Sequence, residues 1–550
     1  MIHPRKIPGT TPSLPSWGIA FFCSLFLCIS FPCLLFAQSD RLPQDGGWLI
    51  TQLNGEPATL NPITATDAYA SNINDYIYES LLKRDEKTLR LTPVLADSWE
   101  VSDDHLLYTF HLKKGIEWQD GKPFTARDIL FSFERIRDPK VDAASLRNYY
   151  QDIEKLEVLD DHTVRFRYRM PYFRALEFCG GLPIVPAHLF KEGEDFNQHP
   201  IGRQPLGTGP YRMLRWDTGK EIVLVKDNAY WGEKPHLDRI VFKIITDSTV
   251  ALQVLKQGGL DLMSLRPIQW VKQTQSRRFS ESFQKLKYYL PSYSYIGWNQ
   301  RRPLFADRRV RLAMTMLVDR ETILKRILFG LGTVVTGTFY INSPENDPNI
   351  KPYPFDPAAA TELLRSAGWV DRNSEGILQK DGIPFVFEFV ISAGSKFAEQ
   401  LATILQENLK DVGIRMEIRK LEWAVFVQRI EEHNFDACTL AWSLSWETDP
   451  YQLWHSSQAG EKGSNFVGFR NEEADRLMEA ARREFDPEKR VKMYRRFSEI
   501  LHEEQPYTFL FTTEALVAVE RRFRNVQVYP MGLSPREWWV PVDLQRYKNP

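Results

Sequence analysis

Ser282-Phe283-Gln284-Lys285 sets a hydroxyl and an amine three residues apart, the Ser-x-x-Lys spacing that can pair a serine nucleophile with a lysine base. The companion motifs of such enzymes are missing, so a secreted hydrolase using Ser282 and Lys285 stands only as an alternative reading. His502, next to Glu503 and Glu504, and His433 each lack a second histidine at metal-ligand spacing and read as solvated surface residues. The chain has no Gly-rich loop ending in Gly-Lys-Ser/Thr, no His-Glu-x-x-His, no Cys-x-x-Cys and no Gly-x-Ser-x-Gly elbow. No catalytic residue, metal ligand or cofactor is expected, and a binding protein is favoured over an enzyme.

The 550 residues exceed the length at which one hydrophobic core stops growing, so two or three compact bodies are expected. With 43% hydrophobic and 26% charged residues, the composition is that of an ordinary globular protein. Basic and acidic residues nearly cancel, 70 against 71, so no net field draws the chain to nucleic acid. The 15 Trp and 21 Tyr suit a ligand cleft as well as a core, because each carries a polar tip on an apolar ring.

The start of the chain reads as a secretory signal. Arg5 and Lys6 precede an almost wholly apolar run from Trp17 to Phe36, which ends at Ala37 before polar Gln38-Ser39-Asp40. Cleavage after Ala37 and a periplasmic location are expected; an uncleaved membrane anchor is the other reading, because the run is near spanning length. Cys23, Cys28 and Cys33 do not follow a lipoprotein cleavage pattern, and past the cut only Cys179 and Cys438 remain, free or bridged.

The elements that would position a site follow from periodicity and punctuation. Gly47 to Ile50 reads as a strand running into the proline-bounded loop Glu56 to Pro62, and Leu106 to Leu112 as another strand. Thr125 with Asp128 three residues on caps a helix whose apolar face is Ile129, Phe133 and Ile136. Asp307, Asp319 and Asp356-Pro357 head further helices, the second expected to close at Gly330. The strand Phe385 to Val390, the helix lined by Ala398, Leu401, Leu405 and Leu409, and the alternating Ile414, Met416 and Ile418 make a strand-helix-strand unit. A helix from Trp423 to Glu432 leads to a strand from Asp436 to Trp442, so an α/β body with a partly parallel sheet is predicted.

One series of segments adds a resemblance. Leu91-Thr92-Pro93-Val94-Leu95-Ala96-Asp97-Ser98-Trp99 leads to Gly115-Ile116-Glu117-Trp118-Gln119-Asp120-Gly121-Lys122-Pro123-Phe124-Thr125. Gly207-Thr208-Gly209-Pro210-Tyr211, Arg302-Pro303-Leu304-Phe305-Ala306-Asp307 and Asp319-Arg320 follow in order. The series resembles the extracellular solute-binding proteins, family 5, of peptide and nickel ABC transporters. The fold this implies is α/β, a two-lobed periplasmic binding protein of type II with an extra subdomain inserted in the first lobe. By analogy the first lobe is built from 47–61, 203–293 and 511–549, the insert is 62–202, the second lobe is 295–510, and 1–37 is the signal peptide. The implied function is to capture a peptide or peptide-like solute between the lobes, as a monomer, and deliver it to a membrane ABC permease. A sensory role for the same fold is an alternative.

The stretch Leu440 to Tyr451 resembles the family's cleft-facing segment, with Trp442 at its cleft tryptophan. Where peptide-binding relatives place an aspartate for the ligand's amine, this chain has Ser445, and a hydroxyl cannot replace that charge-assisted bond. Either Glu447 or Asp449 takes over, or the ligand has no free amine. Trp423, Tyr78 and Asn299 lie in segments that approach the cleft in relatives. Gly207 and Gly209 read as turn glycines beside Pro210 rather than ligand contacts.

Overall fold

The computed structural model describes residues 42–460 and 463–547. The apolar run at 17–36 and its expected cleavage point lie outside the described residues. Among those described, no helix is long and apolar enough to cross a membrane.

The strand anticipated at Gly47 forms as Trp48–Leu53 and becomes the middle of an eight-stranded sheet. It pairs in parallel with Arg239–Ile244, and Glu221–Lys226 and Tyr211–Asp217 extend that side. On its other side lie Leu262–Ser264, Phe511–Glu520 and Phe283–Tyr289. The short strand Gly332–Val334 pairs with the start of Phe511–Glu520. A five-stranded sheet runs in the order Arg415–Leu421, Val386–Ser392, Ala437–Ser443, Ser292–Trp298, Tyr507–Phe509, with its first three strands parallel. A third sheet, antiparallel, joins Ala96–Val101, Leu107–Leu112, Thr163–Tyr168 and Ile153–Asp160.

Local chemistry explains the elements. Thr125 and Asp128 form the expected capping box at the helix Ala126–Arg137, with the Thr125 amide donating to Asp128 Oδ2 at 2.9 Å. Such a cap contributes about 1 kcal/mol, and Ile129, Phe133 and Ile136 are buried beneath it. The helix Lys396–Asp411 buries Ala398, Leu401, Leu405 and Leu409 against the parallel strands, one stripe at helical spacing. The helix headed by Asp319 stops earlier than expected, at Ile327, because Phe329 joins Gly330 in the left-handed region and the chain has already turned.

Separate apolar clusters fill the sheets: one under the four-stranded sheet, two around the five-stranded sheet and two on the faces of the large sheet. The chain passes between the large and five-stranded sheets as strand. Phe283–Tyr289 reaches Ser292–Trp298 through Leu290-Pro291, and Tyr507–Phe509 reaches Phe511–Glu520 through Leu510 alone. The two passages are tied together, since the Leu510 amide donates to Ser294 O at 2.9 Å and Ser294 Oγ to Phe511 O at 3.2 Å.

A buried ionic cluster fastens the large sheet. Asp261 accepts from the Ile50 amide and from Arg522, each at 2.8 Å, and Arg522 also donates to Trp48 O. Arg522 and Arg546 both pair with Glu520, and Tyr547 stacks on Trp48 at 4.8 Å. Burial, followed by the adjoining Asp261, pushes the Glu520 carboxyl up to about 7.

Candidate ligand-binding site

The strand Ala437–Ser443 carries Trp442 opposite Tyr293 of its neighbour, then opens into the loop 444–450. Trp442 is half-buried between two parallel rings, Tyr295 at 6.4 Å and Phe466 at 5.8 Å, so packing fixes its plane. Ser445 is exposed at the loop's outer bend, where its carbonyl accepts from Thr448 Oγ1 at 3.0 Å. Trp446 meets Tyr340 edge-on at 5.6 Å, and Tyr340 donates to Tyr289 O at 3.1 Å. This loop therefore lies against the end of a strand of the large sheet, beside the passage between sheets.

The two carboxylates of the loop are engaged. Glu447 Oε1 accepts from Arg490 Nη2 at 2.8 Å, and its other oxygen lies 3.7 Å from Arg84. Burial raises the Glu447 carboxyl above its ordinary range despite Arg490. Asp449 Oδ2 accepts from Tyr172 Oη at 3.0 Å and pairs with Arg482 Nε at 3.1 Å, while Oδ1 accepts from the Tyr451 amide. The structure thus brings Trp442, Ser445, Glu447 and Asp449 together on one strand end and loop.

The other three expected residues stand apart. Trp423 opens the helix Trp423–Glu431, 57% exposed and stacked on Phe426. Asn299 is wholly buried, its amide nitrogen donating to His433 O and Phe435 O and its oxygen accepting from the Arg301 amide. Tyr78 is buried in the apolar cluster under the large sheet, and desolvation raises its phenol. Trp446, Tyr340, Tyr172, Arg84, Arg482 and Arg490 went unread, because nothing local marks a charge or ring whose partner is tens to hundreds of residues away.

Several other expectations are refined. Gly207 and Gly209 do not serve a left-handed turn: a Cβ on Gly207 would stand 1.8 Å from Ile77 O and one on Gly209 2.7 Å, so close backbone approach is the reason for glycine. Lys285 Nζ donates to Trp270 O at 2.7 Å and lies over the Trp270 ring, and Ser282 ends a helix. His502 is not a solvated residue but stacks on Tyr353 at 4.4 Å, and burial, followed by the charge of Arg320, holds its imidazole below the ordinary value. Cys179 and Cys438 are free and buried. Among the described residues, no group of three or more His, Cys, Asp or Glu is placed to hold a metal ion.

Two α/β lobes on separate sheets, joined by paired strands, with an added antiparallel subdomain and a polar, aromatic loop between them, define a type II periplasmic binding protein. Known proteins agree: residues 90–464 match the pattern of bacterial extracellular solute-binding proteins, family 5. The oligopeptide-binding protein AppA of Bacillus subtilis is 32% identical over 92% of this chain and 93% of its own length. A structure of AppA from Bacillus subtilis in complex with a nonapeptide matches with a TM-score of 0.79 at 30% identity, covering 91% of this chain and all of that one. NikZ from Campylobacter jejuni in complex with Ni(L-His) matches with a TM-score of 0.77 at 26% identity, over 89% of this chain and 99% of that one. The chain belongs to the family 5 extracellular solute-binding proteins, and it is a binding protein rather than an enzyme.

Proposed function

We propose that this protein captures a peptide or peptide-like solute outside the cytoplasm and delivers it, as a monomer, to a membrane ABC permease. The signal at 1–37 directs export in this reading. The first lobe is 47–61, 203–293 and 511–549 with 62–202 inserted, and the second is 295–510. Trp442, Ser445 and the loop to Asp449 contribute to the interlobe site in this reading, which leaves out Trp423, Tyr78 and Asn299. Likeness to AppA over 92% of the chain supports a peptide as ligand.

The ligand needs no free amine. The observation that carries this is the engagement of both loop carboxylates, Glu447 by Arg490 and Asp449 by Tyr172 and Arg482. With Ser445 at the third candidate position, no carboxylate of the loop is left to receive an ammonium. A charge-assisted hydrogen bond contributes about 1.5–3 kcal/mol, so its absence is measurable.

The test is native mass spectrometry of the purified protein for a co-purified solute, followed by thermal shift against paired free and N-acetylated peptides. Equal stabilisation by both members of a pair is expected. A strong preference for the free amine overturns the amine reading, and no stabilisation by any peptide overturns the peptide reading.

A further inference from the structure

The four-stranded sheet and the five-stranded sheet share no apolar cluster, and no chain segment runs directly from one to the other. They nevertheless meet through two charged contacts and a few ring contacts, His105 stacked on Phe485 at 3.6 Å and Phe173 edge-on to Tyr494 at 6.5 Å. In the first, Arg84 lies 2.9 Å from Glu177, which also accepts from Arg174 at 2.8 Å, and this group faces Glu447 and Arg490. In the second, Tyr172, Asp449 and Arg482 converge, with Asp152 3.7 Å from Arg482. Between the two, the Phe173 amide donates to Arg482 O at 2.9 Å and the Phe173 ring lies under Arg490 at 4.2 Å.

Each side of this contact is neutral by itself, Arg84 and Arg174 with Asp152 and Glu177 on one body and Arg482 and Arg490 with Glu447 and Asp449 on the other, and the contacts that cross are Arg84 to Glu447, Asp152 to Arg482 and Tyr172 to Asp449. Polar contacts that water can replace separate far more readily than a shared apolar core, whose exposure is unfavourable at roughly 25 cal/mol per Å². We infer that these contacts are a latch: they hold the body of the four-stranded sheet against that of the five-stranded sheet when the cleft is shut, and release it when the cleft opens. Closure then has a component that does not come from the ligand. A solute shifts the balance only by its differential affinity for shut and open forms, so the latch lowers the shift that solute must supply.

The two halves of the latch differ. Burial alone would raise Glu177, yet Arg174 and Arg84 together hold it below the ordinary range, whereas Glu447 stays raised by burial. Arg84 and Arg174 pair with Glu177 within one body, and Glu447 and Asp449 pair with Arg490 and Arg482 within the other, so the separable contacts are those of Arg84 with Glu447, Tyr172 with Asp449 and Asp152 with Arg482. Buried pairs of this kind fix geometry more than they stabilise it.

The latch is independent of the identity of the solute and is read on the ligand-free full chain by amide hydrogen exchange. Asp449→Asn and Glu447→Gln should each accelerate exchange of the Phe173 amide by at least about tenfold, while amides inside the two sheets keep their rates. Raising salt on the unaltered chain should accelerate the same amide to a smaller extent, because it screens partly buried pairs only weakly but changes no residue. If neither variant nor high salt makes the Phe173 amide exchange faster than it does in the parent, there is no latch. If a variant loosens the whole chain, the salt experiment on the parent decides.

Discussion

The molecule holds two clusters of arginines and carboxylates built from the same parts. Around Asp261 the partners belong to one sheet: Ile50, Trp48, Glu520 and Arg522 are already bound by strand pairing, and the ion pairs fill a site the backbone has fixed. Around Glu447 and Asp449 the nearest guanidiniums, Arg490 and Arg482, belong to the same body, and what reaches in from the body of the four-stranded sheet is Arg84 at 3.7 Å from Glu447, Tyr172 at 3.0 Å from Asp449 and Asp152 at 3.7 Å from Arg482. The first cluster can be lost only with the sheet, the second without unfolding anything. What an ion pair does in a protein is set by whether the elements it joins are otherwise connected.

The largest effect expected from this contrast is at Asp261. Asp261→Ala leaves Arg522 and the Ile50 amide buried without their partner and should cost about 3–5 kcal/mol of stability, measured by denaturant titration. Asp449→Asn should cost far less globally, and equal losses at the two sites would erase the distinction.

Next comes pH. Glu520, raised to about 7 in the fold and near 4.5 when unfolded, binds its proton more tightly folded. Its contribution is greatest below the unfolded value and is lost as pH rises through the folded one. Relative to Glu520→Gln, the parent should lose about 2 kcal/mol between about pH 5 and about pH 8, read as a divergence of their unfolding midpoints. A constant difference over that range would mean that Glu520 is ionised throughout.

Smaller still is the pair Glu447 and Arg490. A double-mutant cycle with Glu447→Gln and Arg490→Met should give a coupling of about 1 kcal/mol or less in global stability, together with the local exchange effect described above. Ser445→Asp bears on the ligand alone: it should strengthen binding of free-amine peptides over their acetylated partners by up to about tenfold, tested by calorimetry, with stability nearly unchanged.

Much of the fold was legible because its signals are local. Leu401, Leu405 and Leu409 declare a helix by their spacing, and Thr125 and Asp128 cap one another three residues apart. Phe283–Tyr289 was not legible: the Ser-x-x-Lys spacing at its start was set aside as an alternative, and the strand it forms pairs along Phe511–Glu520, a partner more than 200 residues away. The site divides in the same way. Trp442 and the loop after it stand out by composition, but whether Glu447 faces a ligand or an arginine depends on Arg490 and Arg84, which look like any solvated arginine in the sequence. Gly207 shows the limit for backbone: its neighbour Pro210 suggested a bend, and only the Ile77 carbonyl reveals the crowding.

The passage through Leu510 has a mechanical consequence. Two hydrogen-bonded ribbons, one bridged by a single residue and the other by two, resist sliding and shearing but flex about one line, as a leaf spring does. Motion between the lobes is thereby reduced to nearly one coordinate.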